Sequence, residues 1–301
     1  MRKLLERTDL DRLVVLDALT YAGNLKNLSG PDQDPRFHFI EGSVNDAALV
    51  TRILAEAEIT GIFHLAAESH VDRSISDPAN FVHTNVVGTS CIVDCARHAQ
   101  VPLLICSTDE VYGPTPAHLT FSESDPLNPS SPYAASKAAA DLLALAAVRT
   151  YQQDLVIARC TNNYGPRQHP EKLIPHFIYL ALRDQALPVY GSGQQIRDWI
   201  HVDDCALGLI AAFDKGTKGN IYHLGGNSES TNLGVARRLL KILHKPDTLI
   251  CHVSDRPGHD VRYALNVSRS LQILGWKARI PFRAGFSEVV RELASDLRPS
   301  D

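Results

Sequence analysis

Short β-type runs alternate with stretches of helical length, and this alternation restricts the fold more than any other feature of the chain. Residues 13–16, 37–41, 61–65, 103–107 and 155–160 read as strands, and 46–58, 78–99 and 132–151 are each long enough for a helix. Parallel strands need a long crossover, which a helix supplies, so the alternation predicts a doubly wound parallel sheet. After Asn162 the pattern becomes less regular, punctuated by Pro166, Pro170, Pro175 and Pro188. The expected class is therefore α/β: a Rossmann-like doubly wound parallel sheet over 1–165, with a smaller C-terminal α/β domain over 166–301. Segments near 195–225 are expected to return to the first domain.

Composition narrows the partners. The chain has 301 residues, 44% hydrophobic and 21% charged, with a formal net charge of −4. That balance argues against a nucleic-acid or anionic-membrane surface. No apolar run reaches the ~18 residues of a membrane span, and the basic start Met1-Arg2-Lys3 is cut off from any signal-type apolar region by Leu4-Leu5-Glu6. The expected location is the cytoplasm. The six cysteines form no C-x-x-C pair and sit mostly in apolar surroundings, as reduced buried thiols would; neither a metal site nor a disulfide framework is expected.

Two segments carry chemistry. Ser107-Thr108-Asp109-Glu110-Val111-Tyr112-Gly113 places adjacent carboxylates at the end of an apolar run. Ligand-facing groups in a doubly wound sheet lie at such strand ends. Successive strand residues point to opposite faces, so Asp109 and Glu110 are expected where the strand has begun to turn. Tyr133-Ala134-Ala135-Ser136-Lys137 puts a phenol and an ammonium on one helix face. The ammonium favours the phenolate, and the pair can then accept a proton from an alcohol. A Y-x-x-x-K spacing alone is common in helices; the strand end about 25 residues earlier gives it weight. The helices near 80–99 and 133–151 are apolar on nearly every face, so they are either internal or the interface of a homodimer.

With these and other segments in place, the chain resembles the extended short-chain dehydrogenase/reductase family, in its sugar-nucleotide 4,6-dehydratase branch. The likeness is carried by Asp17-Ala18-Leu19-Thr20-Tyr21-Ala22-Gly23-Asn24, by His64-Leu65-Ala66-Ala67-Glu68-Ser69-His70-Val71-Asp72-Arg73-Ser74, and by the two segments above. It continues through Asn162-Asn163-Tyr164-Gly165-Pro166, Pro170-Glu171-Lys172-Leu173-Ile174-Pro175, Arg197-Asp198-Trp199 and Asp255-Arg256-Pro257-Gly258-His259-Asp260. The resemblance implies NAD as cofactor and dTDP-glucose as substrate. It implies Thr108, Asp109, Glu110, Tyr133 and Lys137 as catalytic groups. Asp17, Ala18, Leu19, Thr20, Ser43, Val44, Leu65, Ala66, Ala67, Ser69, Thr84 and Asn163 would border the cofactor with Tyr133 and Lys137. Ser69, Thr108, Asn162, Lys172, Leu173, Pro188, Tyr190, Arg197, Asn232, Asp255, Arg256 and His259 would hold the sugar nucleotide. Other readings stay open: a different nucleotide sugar, an epimerase, or a cofactor-free relative acting as a partner subunit.

Three departures stand out. Ser43 replaces an Asp that contacts adenine in the family, and Ala18 replaces a Lys. The third is larger: the opening strand and its G-x-x-G-x-x-G turn, which binds the dinucleotide pyrophosphate, have no counterpart here. Residues 1–7 read as the end of the helix that follows that turn, so about 15 residues of the pattern are absent. Either the natural start lies upstream, or the chain is a shortened relative. The expected consequence is a sheet without its central strand.

Overall fold

The computed structural model describes residues 1–297. The chain runs through α1 (Arg2–Leu5), β1 (Leu13–Asp17), β2 (Phe37–Glu41), α2 (Ala47–Glu56), β3 (Ile62–His64), α3 (Val71–Ser76), α4 (Pro78–Phe81) and α5 (Thr89–Ala99). It continues with β4 (Leu103–Thr108), α6 (Pro132–Tyr151), β5 (Leu155–Cys160), β6 (Asn162–Tyr164), α7 (Leu173–Leu182), β7 (Leu187–Tyr190), β8 (Ile196–His201) and α8 (Val202–Lys215). The last elements are β9 (Ile221–Leu224), β10 (Glu229–Thr231), α9 (Asn232–Ile242), β11 (Ile250–Val253) and α10 (Phe282–Leu297).

Two compact units result. The first comprises Met1–Thr108, Pro132–Arg159 and Leu209–Tyr222; the second comprises Asp109–Ser131, Cys160–Gly208 and His223 onward. In the first unit β4 and β5 are the innermost strands, with β5 buried at every position. Their runs Leu103-Leu104-Ile105 and Leu155-Val156-Ile157-Ala158 are continuous rather than alternating, as strands covered on both faces must be. Ile92, Val93 and Ala96 of α5 and Ala144 and Ala147 of α6 pack against them. In the second unit α7, α9 and α10 enclose a core that includes Phe177, Trp199, Leu239 and Phe286.

The parallel sheet comes in two pieces. β1 pairs with β2 in parallel, Leu13 opposite Phe37 through Asp17 opposite Glu41. The other piece has the order β3-β4-β5-β9. Among the described residues, β1 has strand β2 alone as its neighbour, and β3 has β4 alone. Among the described residues the two pieces share no strand pairing.

Helix ends follow from local chemistry. Asp46 caps α2 by accepting from Leu49 N at 2.9 Å, and Thr231 caps α9 by accepting from Gly234 N at 3.0 Å. The stretch 78–99, expected as one helix, contains a π-helical segment, Val82–Gly88, between α4 and α5. Such segments re-aim side chains and are frequent at functional sites.

Candidate active site

Within the first unit, α6 begins at Pro132, whose fixed φ suits a first helical position. Tyr133 and Lys137 follow in its first two turns. Lys137 is buried, and its Nζ donates to the Cys106 carbonyl of β4 at 2.8 Å. Thr108 ends β4, also buried. The Tyr133 ring meets Phe81 edge-on at 6.3 Å, and its carbonyl accepts from Ser136 Oγ at 2.7 Å.

Asn85 ties this helix to the loop after β3. It is fully buried in the π-helical segment, and its Nδ2 donates to Ser136 Oγ at 2.9 Å and to the Glu68 carbonyl at 3.0 Å. Its Oδ1 accepts from Glu68 N at 2.8 Å. The loop of Leu65, Ala66, Ala67 and Ser69 is thereby held, with Leu65 54% exposed. Asn85 was not among the residues the sequence singled out. Beneath the loop, His64 bonds Thr89 Oγ1 at 2.9 Å. Burial, and then the Lys137 charge, lower its pKa to about 3, so it is a neutral imidazole.

Asp17 is exposed at the C-terminal end of β1, and one carboxylate oxygen accepts from Leu19 N at 2.8 Å. Ala18 and Thr20 beside it are exposed, and Leu19 holds φ at 46°. Ser43 Oγ accepts from Asn45 N, and Val44 is buried. A carboxylate in this place suits the vicinal hydroxyls of an adenosine ribose. Among the described residues no glycine-rich turn precedes a helix; the first helix, α1, begins at Arg2 with Met1 as its cap. The donor set thus fits the two ends of a dinucleotide, while the described residues offer no cradle of this kind for its pyrophosphate.

The chain enters the second unit at Asp109, where β4 gives way to a 3₁₀ turn, Asp109–Tyr112. The turn closes on Gly113, which has φ +73° and whose N donates to the Glu110 carbonyl at 3.1 Å. A Cβ there would meet the Asn128 carbonyl oxygen at 2.1 Å, so only glycine fits. Asp109 is buried. Burial raises the pKa of Glu110, opposed by the positive charges of Arg197, Arg256 and Lys172 and reinforced by Asp260.

Most of the expected sugar-nucleotide residues lie in this second unit, in a few separate groups. Arg197 lies 4.3 Å over the Tyr263 ring, and its Nη2 donates to the Asp260 carbonyl at 3.0 Å. Tyr263 donates to Asp260 Oδ2 at 2.8 Å. Asp255 accepts from Gln195 Nε2 at 2.8 Å and Arg256 N at 2.9 Å, and it pairs with His259 Nδ1 at 2.6 Å. The His259 bond holds the Asp255 carboxyl below its usual range, whereas burial lowers the pKa of His259. Tyr190 of β7 meets the His259 ring edge-on at 6.2 Å, and Pro188 sits opposite Cys251 in the β7–β11 pair. Lys172 caps α7 ahead of Leu173, and Asn232 opens α9 with its N donating to the Gln195 carbonyl. Asn162 and Asn163 lie on β6 opposite Trp199 and Ile200, with both Oδ1 atoms buried and accepting no hydrogen bond. Buried amide oxygens without donors are places where a ligand can bond. Gln195, Asp260 and Tyr263 were missed as participants; Tyr263 stands three residues beyond the Asp255-to-Asp260 motif.

A parallel α/β unit bearing Tyr133 and Lys137 on one helix, joined to a second unit rich in anion-binding side chains, is an extended short-chain dehydrogenase/reductase. The chain belongs to the nucleotide-sugar 4,6-dehydratase family: a family profile described as GDP-mannose 4,6 dehydratase matches residues 1–289. It is 46% identical to the dTDP-glucose 4,6-dehydratase of Actinoplanes sp. over 280 residues, covering 93% of this chain and 87% of the relative. It is 41% identical to that of Escherichia coli over 320 residues, covering 96% and 88%. DesIV, a dTDP-glucose 4,6-dehydratase from Streptomyces venezuelae solved with NAD bound, has a TM-score of 0.94 at 45% identity, covering 96% of this chain and 91% of that one.

Proposed function

We propose that this chain dehydrates dTDP-glucose to the 4-keto-6-deoxy sugar nucleotide. The observation that carries the reading is Glu110: a half-buried residue with one buried carboxylate oxygen, one residue after Asp109, its pKa raised by desolvation and its charge balanced by Arg197, Arg256 and Lys172. NAD would be held by Asp17 at the adenosine ribose, bordered by Thr84, with Tyr133, Lys137 and Asn163 toward the nicotinamide. When bound it would supply the redox chemistry, as acceptor of the C4 hydride and donor of the same hydride to C6. Tyr133, with Lys137 and Thr108, takes the C4 hydroxyl proton. The resulting ketone acidifies the C5 proton, which Glu110 removes. Asp109 protonates the departing C6 hydroxyl, which leaves as water, and Glu110 returns its proton to C5. The balance is loss of one water with no net oxidation. Arg197 and Arg256 suit the diphosphate, because a guanidinium grips phosphate oxygens in a fork.

The same reading includes a homodimer through the first unit. Val82 and Val87 of the π-helical segment are 51% and 48% exposed, and Leu142 and Tyr151 of α6 are each 58% exposed. These apolar side chains on adjacent helices support a covering by a second copy. A cytoplasmic location accords with six cysteines that are all free thiols.

The test is turnover of dTDP-glucose, UDP-glucose and GDP-mannose side by side, following the 4-keto product. Product from dTDP-glucose is expected; product from either of the other two alone overturns the substrate assignment.

A further inference from the structure

Tyr112 ends the 3₁₀ turn that carries Asp109 and Glu110, and it is 1% exposed. Its hydroxyl lies 2.6 Å from Nε2 of His223, a fully buried residue of β9. Nδ1 of that imidazole faces the Asn266 carbonyl at 3.0 Å. A carbonyl can only accept, so Nδ1 carries a proton, and in the neutral imidazole Nε2 then accepts from the tyrosine O–H. The bond therefore runs one way, from Tyr112 to His223 to the Asn266 main chain.

The arrangement closes on itself. Asn266 N donates to the Phe121 carbonyl at 2.8 Å, and the Phe121 ring stacks on Tyr112 at 4.9 Å. Ser270 Oγ donates to the His223 carbonyl at 2.6 Å, and the Glu123 carboxylate approaches His223 Nδ1 at 3.8 Å. On the other flank Asn128 N donates to the Val111 carbonyl at 3.0 Å. None of these residues belongs to the sets that meet the sugar nucleotide or the cofactor. Every one of them bears on the segment that ends in Tyr112.

A four-residue 3₁₀ turn has little stability of its own. This one must hold a carboxyl whose charged form burial disfavours, in the field of three cations and Asp260. Its N-terminal end is fixed by β4. Its C-terminal end is fixed by what Tyr112 grips. We propose that His223 is a positioning residue for Glu110, acting through the Tyr112 hydroxyl at a site 113 residues away in sequence. The inference rests on Glu110 being the C5 base.

Tyr112→Phe keeps the ring and removes only the hydroxyl; His223→Asn removes the acceptor. In either variant, amide hydrogen exchange at 109–113 is expected to rise about tenfold while β4 stays protected. Deuterium exchange at sugar C5 is expected to fall by about tenfold or more, with dTDP affinity held within about twofold. The double variant should be no worse than the poorer single one, because both substitutions break the same Tyr112–His223 bond. Unchanged exchange at 109–113, or effects of the two substitutions that multiply, overturns the proposal. Glu110→Gln is measured alongside: if it exchanges C5 normally, the assignment of the base fails, and the amide exchange still decides whether His223 holds the turn.

Discussion

Asp141 of α6 and Arg159 of β5 meet through a 2.9 Å bond from Nε to Oδ2, with side chains 0% and 2% exposed. Tyr133, Lys137 and Asp141 are spaced by four, so they lie along one stripe of the helix. The pair therefore fixes how far α6 is slid along β5, and with it the height of the tyrosine. A buried pair of this kind adds little stability over apolar neighbours, because desolvation offsets the attraction. Its use is registry.

Asp141→Ala should destabilise the protein by about 3–5 kcal/mol, since it removes the carboxylate that balances a buried guanidinium. Replacing both residues together, Asp141→Leu with Arg159→Met, should restore most of that loss. Chemical denaturation of the two variants measures the difference. A loss under about 1 kcal/mol in the single variant would mean that Arg159 finds another partner.

Glu110→Gln should raise stability while abolishing turnover. Burial raises the folded-state pKa of Glu110, so the folded protein disfavours its charged form. That penalty is absent below the ordinary carboxylate pKa and complete above the raised one. The variant should therefore be more stable than its parent at about pH 8, and the gain should vanish near about pH 4. Thermal melts across that range report it. A gain that grows toward low pH would contradict the sign.

Tyr133→Phe and Lys137→Met should each lower product formation by about 10²–10⁴-fold, the usual scale for a lost acid–base group. Lys137 also closes a 2.8 Å bond to the Cys106 carbonyl, so circular dichroism should confirm that β4 and α6 remain packed. Activity within about tenfold of the parent would remove Tyr133 from the chemistry.

Asp255→Asn should weaken dTDP binding by about tenfold in calorimetry. The carboxylate holds Gln195, Arg256 N and His259 at once, and an amide offers one acceptor where the charge offered two. Unchanged affinity would show that Asp255 serves the loop alone.

Much of this was legible from pattern. The helix over 132–151 and the strand over 37–41 have the bounds their periodicity implied. The turn at Asp109 follows from two carboxylates that could not both face one side of a strand. The π-helical segment was not legible, because a shift from one hydrogen-bond spacing to the next leaves the apolar pattern over 78–99 unchanged. Asn85 was hidden for the same reason. His223 was hidden differently: its partner Tyr112 is 111 residues away in sequence, and no local rule links them.

The divided sheet has a consequence for handling the protein. β1 and β3 each present one row of main-chain N–H and C=O groups to which no described strand is bonded. An open edge is a template that any extended segment can join, including one from another molecule. A net charge of −4 on 301 residues offers little repulsion to prevent it. Concentration and temperature should therefore drive a chain of these 301 residues alone toward edge-to-edge association. A short parallel-pairing peptide supplied in trans should suppress that association by occupying the edges first.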